Sequence, residues 1–165
     1  MNKQEILEEI NKTKEYLANM EKMLKECEHE RWKPEKNEVY YFVNSYGVVE
    51  QDWNSTEFTP DMKRYNAYNC FKTKEQAKIE AEKILVRRML ENVARRLNKG
   101  KKIDYKDNTQ CKFCLTYNIV KDRLEVDSSY NCIRVGAVHC LAINFCKEAI
   151  QEIGEERLKK YLRGE

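Results

Sequence analysis

The chain reads as an α+β protein, an N-terminal heptad helix followed by an antiparallel sheet packed by two helices. Three observations predict this class. Ile6, Ile10, Thr13, Leu17, Met20, Leu24 and Cys27 step by alternating fours and threes, the spacing of one helix face. Runs of β-branched and aromatic residues, broken by turn residues, follow over 39–53 and 112–127, which is the pattern of strands and their returns. A helical pattern then closes each half, 32–100 and 101–165, so each half reads as strands followed by a helix, a loose internal β-β-α duplication.

Length and composition bound this reading. At 165 residues the chain fits an N-terminal helix over 1–31 and one α+β domain over 32–165. Hydrophobic residues at 41% suffice for a core, and charged residues at 36% demand a large solvated surface. No apolar run is long enough to span a bilayer, and MNKQEILEEI lacks the apolar stretch of a signal peptide. The expectation is a soluble, cytoplasmic protein. Seven cysteines, an odd number, make a poor disulfide framework.

Each element has its own local reason. The N-terminal seam is narrow, as in a coiled coil, so Ile6, Ile10, Leu17, Met20 and Leu24 are the candidate oligomerisation positions, with a dimer favoured. Pro34 closes that helix. Val39–Val43 reads as a strand, Asn44-Ser45-Tyr46-Gly47 as a turn and Val48–Trp53 as the return strand. Polar residues from Asn54 to Asn69 read as a long loop. Thr73 with Gln76 makes a capping box for a helix running to about Leu97, with Ile79, Val86, Leu90, Val93 and Leu97 on its apolar face and Asn98-Lys99-Gly100 ending it. Lys112–Val120 and Arg123–Asp127 form a hairpin turning at Lys121-Asp122. Cys132–Ile143 reads as a buried strand bent at Gly136, and Cys146–Leu162 as the last helix.

Candidate chemistry is sparse. Cys111 and Cys114 stand three apart in a strand pattern, which sends their thiols to opposite faces and argues against zinc. His139 lies in an apolar run and reads as a core residue. No phosphate loop, nucleophile elbow or paired-histidine metal motif is present. Neither catalytic residues nor cofactors are therefore expected.

Charge and aromatics say more. Residues 1–30 carry 8 acidic and 5 basic side chains, a balance of −3, while residues 83–106 carry 9 basic and 2 acidic, a balance of +7. Within the second stretch Arg87, Arg88, Arg95, Lys99 and Lys102, with Arg96 and Lys101 alongside, form a basic strip suited to phosphates. Tyr40, Tyr41 and Phe42 cannot all face one way on a pleated strand. Trp53, Arg64, Tyr65 and Asn69 could thus build a second binding patch, unless a two-sided core absorbs the aromatics.

Three segments carry a resemblance: ERWKPEKNEVYYFVNSYGVVEQDW, KRYNAYNCFKTKEQA and EAIQEIGEERLKKYL. Their W-x-P…YY…S-x-G-x-V and R-Y…N-x-F-x-T-x-E-x-A patterns resemble a family of uncharacterised bacteriophage and prophage accessory proteins with an N-terminal helix. The resemblance covers most of the chain and is strongest over 32–77 and 148–162. This chain departs from the family at Tyr68, where glycine is usual, and across Cys111–Cys146. The family implies no reaction. By analogy with small phage accessory proteins, it implies a non-enzymatic inhibitor of a bacterial antiviral defence system, acting in the host cytoplasm. Its partner would be a host defence protein or ribonucleoprotein, for example a CRISPR effector. The alternatives are a sponge for a nucleotide immune signal and, third, a thiol- or zinc-dependent enzyme.

Overall fold

The computed structural model describes residues 4, 9, 12–17, 31–55, 59–130 and 133–165. The chain forms two units, Met1–Lys33 and Pro34–Glu165. In the first, residues 12–17 are helical, and Tyr16 and Leu17 are exposed. Ile6, Ile10, Met20, Leu24 and Cys27 lie outside the described residues.

The second unit is α+β, with helices set against two small antiparallel sheets rather than the single sheet expected. β1 (Val39–Val43) and β2 (Val49–Trp53) pair from Val39 opposite Trp53 to Val43 opposite Val49. In the connecting turn the Asn44 carboxamide accepts from the Tyr46 and Val48 amides, and Gly47 supplies a φ of 82°. The other edge of β1 is also occupied. Tyr41 and Phe71 exchange backbone hydrogen bonds, and the Asn69 carboxamide bonds both the amide and the carbonyl of Val43. Asn69 thus serves as a one-residue strand.

The long loop expected over 54–69 contains a helix, α1 (Thr59–Asn66). Pro60 and Asp61 are start signals, since proline loses no needed donor in the first turn and an acid favours the helix N-terminus. Its end is a Schellman motif: Asn69 N–H bonds Arg64 O and Tyr68 N–H bonds Tyr65 O. Tyr68 occupies the left-handed position of this motif with φ 58°. That geometry favours glycine.

α2 (Lys74–Asn98) opens on the expected capping box, with Thr73 Oγ1 accepting from the Gln76 amide and Gln76 Oε1 from the Thr73 amide. Val86, Leu90 and Val93 are buried as their spacing predicts, with Leu97 partly so, whereas Ile79 is exposed. Ala77 and Ala94 also take buried places on this helix. β3 (Lys112–Asn118) and β4 (Arg123–Ser129) make the second hairpin, turning through 119–122 with Asp122 at φ 44°.

The apolar run 133–143 is mostly loop. Only β5 (His139–Cys140) pairs, against Phe113 and Cys114 of β3, and Val135 and Ile143 are exposed. Gly136 does bend the chain, at φ 81°. The last helix is two, α3 (Phe145–Ile153) and α4 (Glu155–Arg163), split at Gly154 with φ 95° and ψ 139°. Arg157 of α4 forks onto Glu82 of α2. One core joins these parts: Val86, Leu90, Val93 and Ala94 meet Leu115, Cys140, Phe145, Ala149, Ile153 and Leu158. Each large side chain so buried contributes roughly 1.5–3 kcal/mol before entropy is counted.

Candidate anion-binding cleft

α2 delivers its last turns to β5. Asn98 Oδ1 accepts from the Leu141 amide at 2.8 Å and from Cys140 Sγ at 3.2 Å, which pins the helix end to the strand. Lys99 then turns left-handed at φ 49° and Gly100 at φ 80°, so the chain folds back beside the helix it has just left. Alternation along β5 sends Cys140 into the core, and His139 lines a cleft of about 410 Å³. Arg87, Glu91, Arg95, Asn98, Lys101, Lys102 and Tyr105 line it as well.

Four cations and one carboxylate give this lining a formal charge of +3. The free carbonyls ending α2 offset about half a charge of that. Arg87 is partly neutralised, since its Nε meets Glu91 at 3.0 Å and its Nη1 reaches Gly136 O at 3.4 Å. Arg95, Lys101 and Lys102 make no ion pair among the described residues. Concave walls concentrate the field of such charges on an entering anion.

The ring of Tyr105 packs edge-on to His139, centroids 5.8 Å apart and planes at 84°. Burial lowers the His139 pKa, opposed by its hydrogen bond to the Ala137 backbone and reinforced by the charge of Lys112, a net shift that favours the uncharged imidazole. The loop bearing Tyr105 is held from beneath. Lys112 is itself buried, and its ammonium donates to Asp107 O at 2.8 Å and Gln110 O at 2.9 Å. Gln110 Oε1 in turn accepts from the Asp104 amide.

The expected site residues separate. Arg87, Arg95 and Lys102 come together in the cleft. Arg88 and Lys99 are exposed outside it, and Arg96 turns away to Glu152 of α3 at 2.7 Å. The second expected patch is largely structural. Arg64 donates to Tyr40 Oη at 2.7 Å and Asp52 at 2.6 Å, and its guanidinium lies 3.7 Å over the Phe42 ring. Tyr40 Oη donates to the buried Asp61 at 2.7 Å, and burial raises the phenol's pKa. Tyr40 and Phe42 are therefore core, Asn69 is a strand mimic and Tyr65 is half-buried, while Trp53 is exposed. The aromatic stretch is both core and surface.

Lys101 of the expected strip joins Arg87, Arg95 and Lys102 in the cleft, whereas Tyr105 and Asn98 are cleft residues outside the expected set. Tyr105 sits in a charged run without periodicity, and Asn98 carries only the signal of a helix stop. His139 is buried as expected yet also lines the cleft.

A larger groove of about 870 Å³ lies across the 137–138 wall, between the β3–β4 hairpin, α2 and α4, with Arg134 and Arg163 among its lining residues. Among the described residues, no three His, Cys, Asp or Glu side chains gather as a metal site. Opposite His139 stands Cys114, its thiol pKa raised by burial and then by the charge of Asp127. An activated thiolate–imidazolium pair requires the reverse shifts. Burial likewise raises the thiols of Cys140 and Cys146. Among the described residues no helix is long and apolar enough to cross a membrane. Comparison with protein-family models, curated proteins and solved structures yields no match to this chain.

Proposed function

We propose that this chain is a non-enzymatic binding protein whose working surface is the basic cleft, where it takes up a phosphate-bearing ligand. One observation carries the reading: Arg95, Lys101 and Lys102 converge on a small concave site without carboxylate partners among the described residues. Three uncompensated cations in one cleft repel each other, and an anion relieves that repulsion. In the phage setting that the sequence resembles, such a site serves defence antagonism by withdrawing a phosphate-bearing component, the sponge route. The test is thermal unfolding with and without millimolar pyrophosphate. Saturation at 100 times the Kd stabilises by about 2.7 kcal/mol, and the Arg95→Ala/Lys102→Ala double variant is expected to lose the shift. A shift that survives in the double variant places the ligand elsewhere and refutes the assignment.

A specific observation also favours the protein-blocking route. The apolar groove is bordered by fully exposed Val135 and by Ile119 at the hairpin turn, a costly surface to leave in water. In that reading a host defence protein covers the groove, and Val135→Asp abolishes its capture while leaving anion binding intact. Dimerisation through the heptad seam remains part of the proposal. Leu17→Asp with Leu24→Asp is expected to lower the mass found by light scattering, and a monomeric parent refutes it.

A further inference from the structure

We infer that the cleft is a nucleotide site, in which Tyr105 stacks the base, the Asn98 amide donates to it, and Arg95 with Lys102 holds the phosphate. This rests on the reading of the cleft as a phosphate site and assigns the rest of the ligand.

Bare phosphate needs only the cations, yet the cleft also holds an oriented aromatic ring and an oriented amide. Tyr105 is 51% exposed, so half of its surface stays open while the perpendicular contact with His139 fixes its plane. The buried ammonium of Lys112 keeps the tyrosine's loop in place before any ligand arrives. A preset ring face is what a base requires, since stacking pays little ordering cost when the platform is already rigid.

The amide is set in the same way. Both donors that reach Asn98 approach its oxygen, the Leu141 amide and the Cys140 thiol. The carboxamide therefore cannot flip without losing both, and Nδ2 is the group left to the cleft that Asn98 lines. Nδ2 has no partner among the described residues. A base offers it a ring nitrogen or carbonyl oxygen as acceptor. The permanent charges of the lining are Arg95, Lys101, Lys102 and the paired Arg87, so phosphate recognition falls to the arginine and lysines. The volume, about 410 Å³, lies in the lower part of the roughly 300–1,000 Å³ range of small-molecule sites, which suits a mononucleotide.

The experiment is calorimetric titration of the full chain with AMP, GMP and UMP, ribose 5-phosphate, inorganic phosphate and a twelve-residue single-stranded oligonucleotide. Stacking of one base predicts a nucleoside monophosphate affinity about 5- to 150-fold above that of ribose 5-phosphate. Tyr105→Ala removes that advantage, bringing nucleoside monophosphate affinity to that of ribose 5-phosphate measured on the same variant, and Tyr105→Phe retains it. Equal affinity for AMP, GMP, UMP and ribose 5-phosphate, or indifference to Tyr105→Ala, overturns the nucleotide assignment and leaves the phosphate reading standing. Binding of the oligonucleotide alone overturns it in favour of a polyanion surface. Silence from every phosphate compound at millimolar concentration overturns the phosphate reading itself.

Discussion

Replacing Arg64 by methionine separates a structural arginine from a ligand-binding one. Methionine keeps the aliphatic bulk and removes the guanidinium, which donates to Tyr40 Oη and Asp52 and lies over Phe42. Asp52 and Asp61, whose side chains are 35% and 7% exposed, then share a site without their common cation. Removing one member of a fully buried ion pair costs about 3–5 kcal/mol. Arg64 is itself 25% exposed, so solvent screening reduces that, and the lost cation–π contact returns roughly 0.5–1 kcal/mol. The expected loss is about 2–4 kcal/mol, or on the order of 10 °C in Tm for a unit of this size. Urea and thermal unfolding followed by circular dichroism measure it, with ligand titration of the same variant alongside. Arg64→Met is expected to be unstable with unaltered nucleotide affinity, and Arg95→Ala to be stable with lost affinity. A stable Arg64→Met that no longer binds ligand would refute the assignment of Arg64 to the frame of the fold.

Other perturbations probe the cleft and its supports. Lys112→Met strands the carbonyls of Asp107 and Gln110, at about 1–3 kcal/mol each. A Tm near that of the parent, with unchanged amide exchange over 104–110, contradicts its role. For His139 the folded pKa lies below the ordinary 6.5, so the unfolded chain binds the proton more readily. Its contribution is full above about pH 6.5 and is lost as pH falls through the folded value. The urea midpoint of the parent should therefore drop more steeply between pH 7 and 5 than that of His139→Asn, and parallel curves count against the claim. Gly154→Ala meets no atom within 4 Å but inherits φ 95°. Its cost is conformational, about 1–3 kcal/mol, and an unchanged unfolding midpoint rules this out.

Much of the architecture was legible because local rules and tertiary packing agree. The capping box at Thr73 and the turn at Asn44–Gly47 need only neighbours within four residues, and both expected hairpins form by pairing outward from such a local turn. Elements failed where short signals competed. Pro60 and Asp61 start an eight-residue helix that polar composition disguises as a loop. Gly154 lies within a helical pattern and was outweighed by its neighbours, although its backbone leaves the helix there. The run 133–143 is apolar yet mostly unpaired, because only His139 and Cys140 reach β3.

By itself the sequence determined the helix and strand alphabet, the basic stretch over 83–106 and the alternation that divides Tyr40 and Phe42 from Tyr41. Each of these depends on periodicity and composition, which a linear chain carries in full. Only the tertiary structure decided which cations act together. It assigned Arg64 to an internal network and Arg96 to α3, while Arg95, Lys102 and Tyr105 line one cleft with His139 from a distant segment. The reason is physical: a side chain's partners depend on where the chain returns. The αL exit at Lys99 and the Asn98 clasp on β5 set that return path.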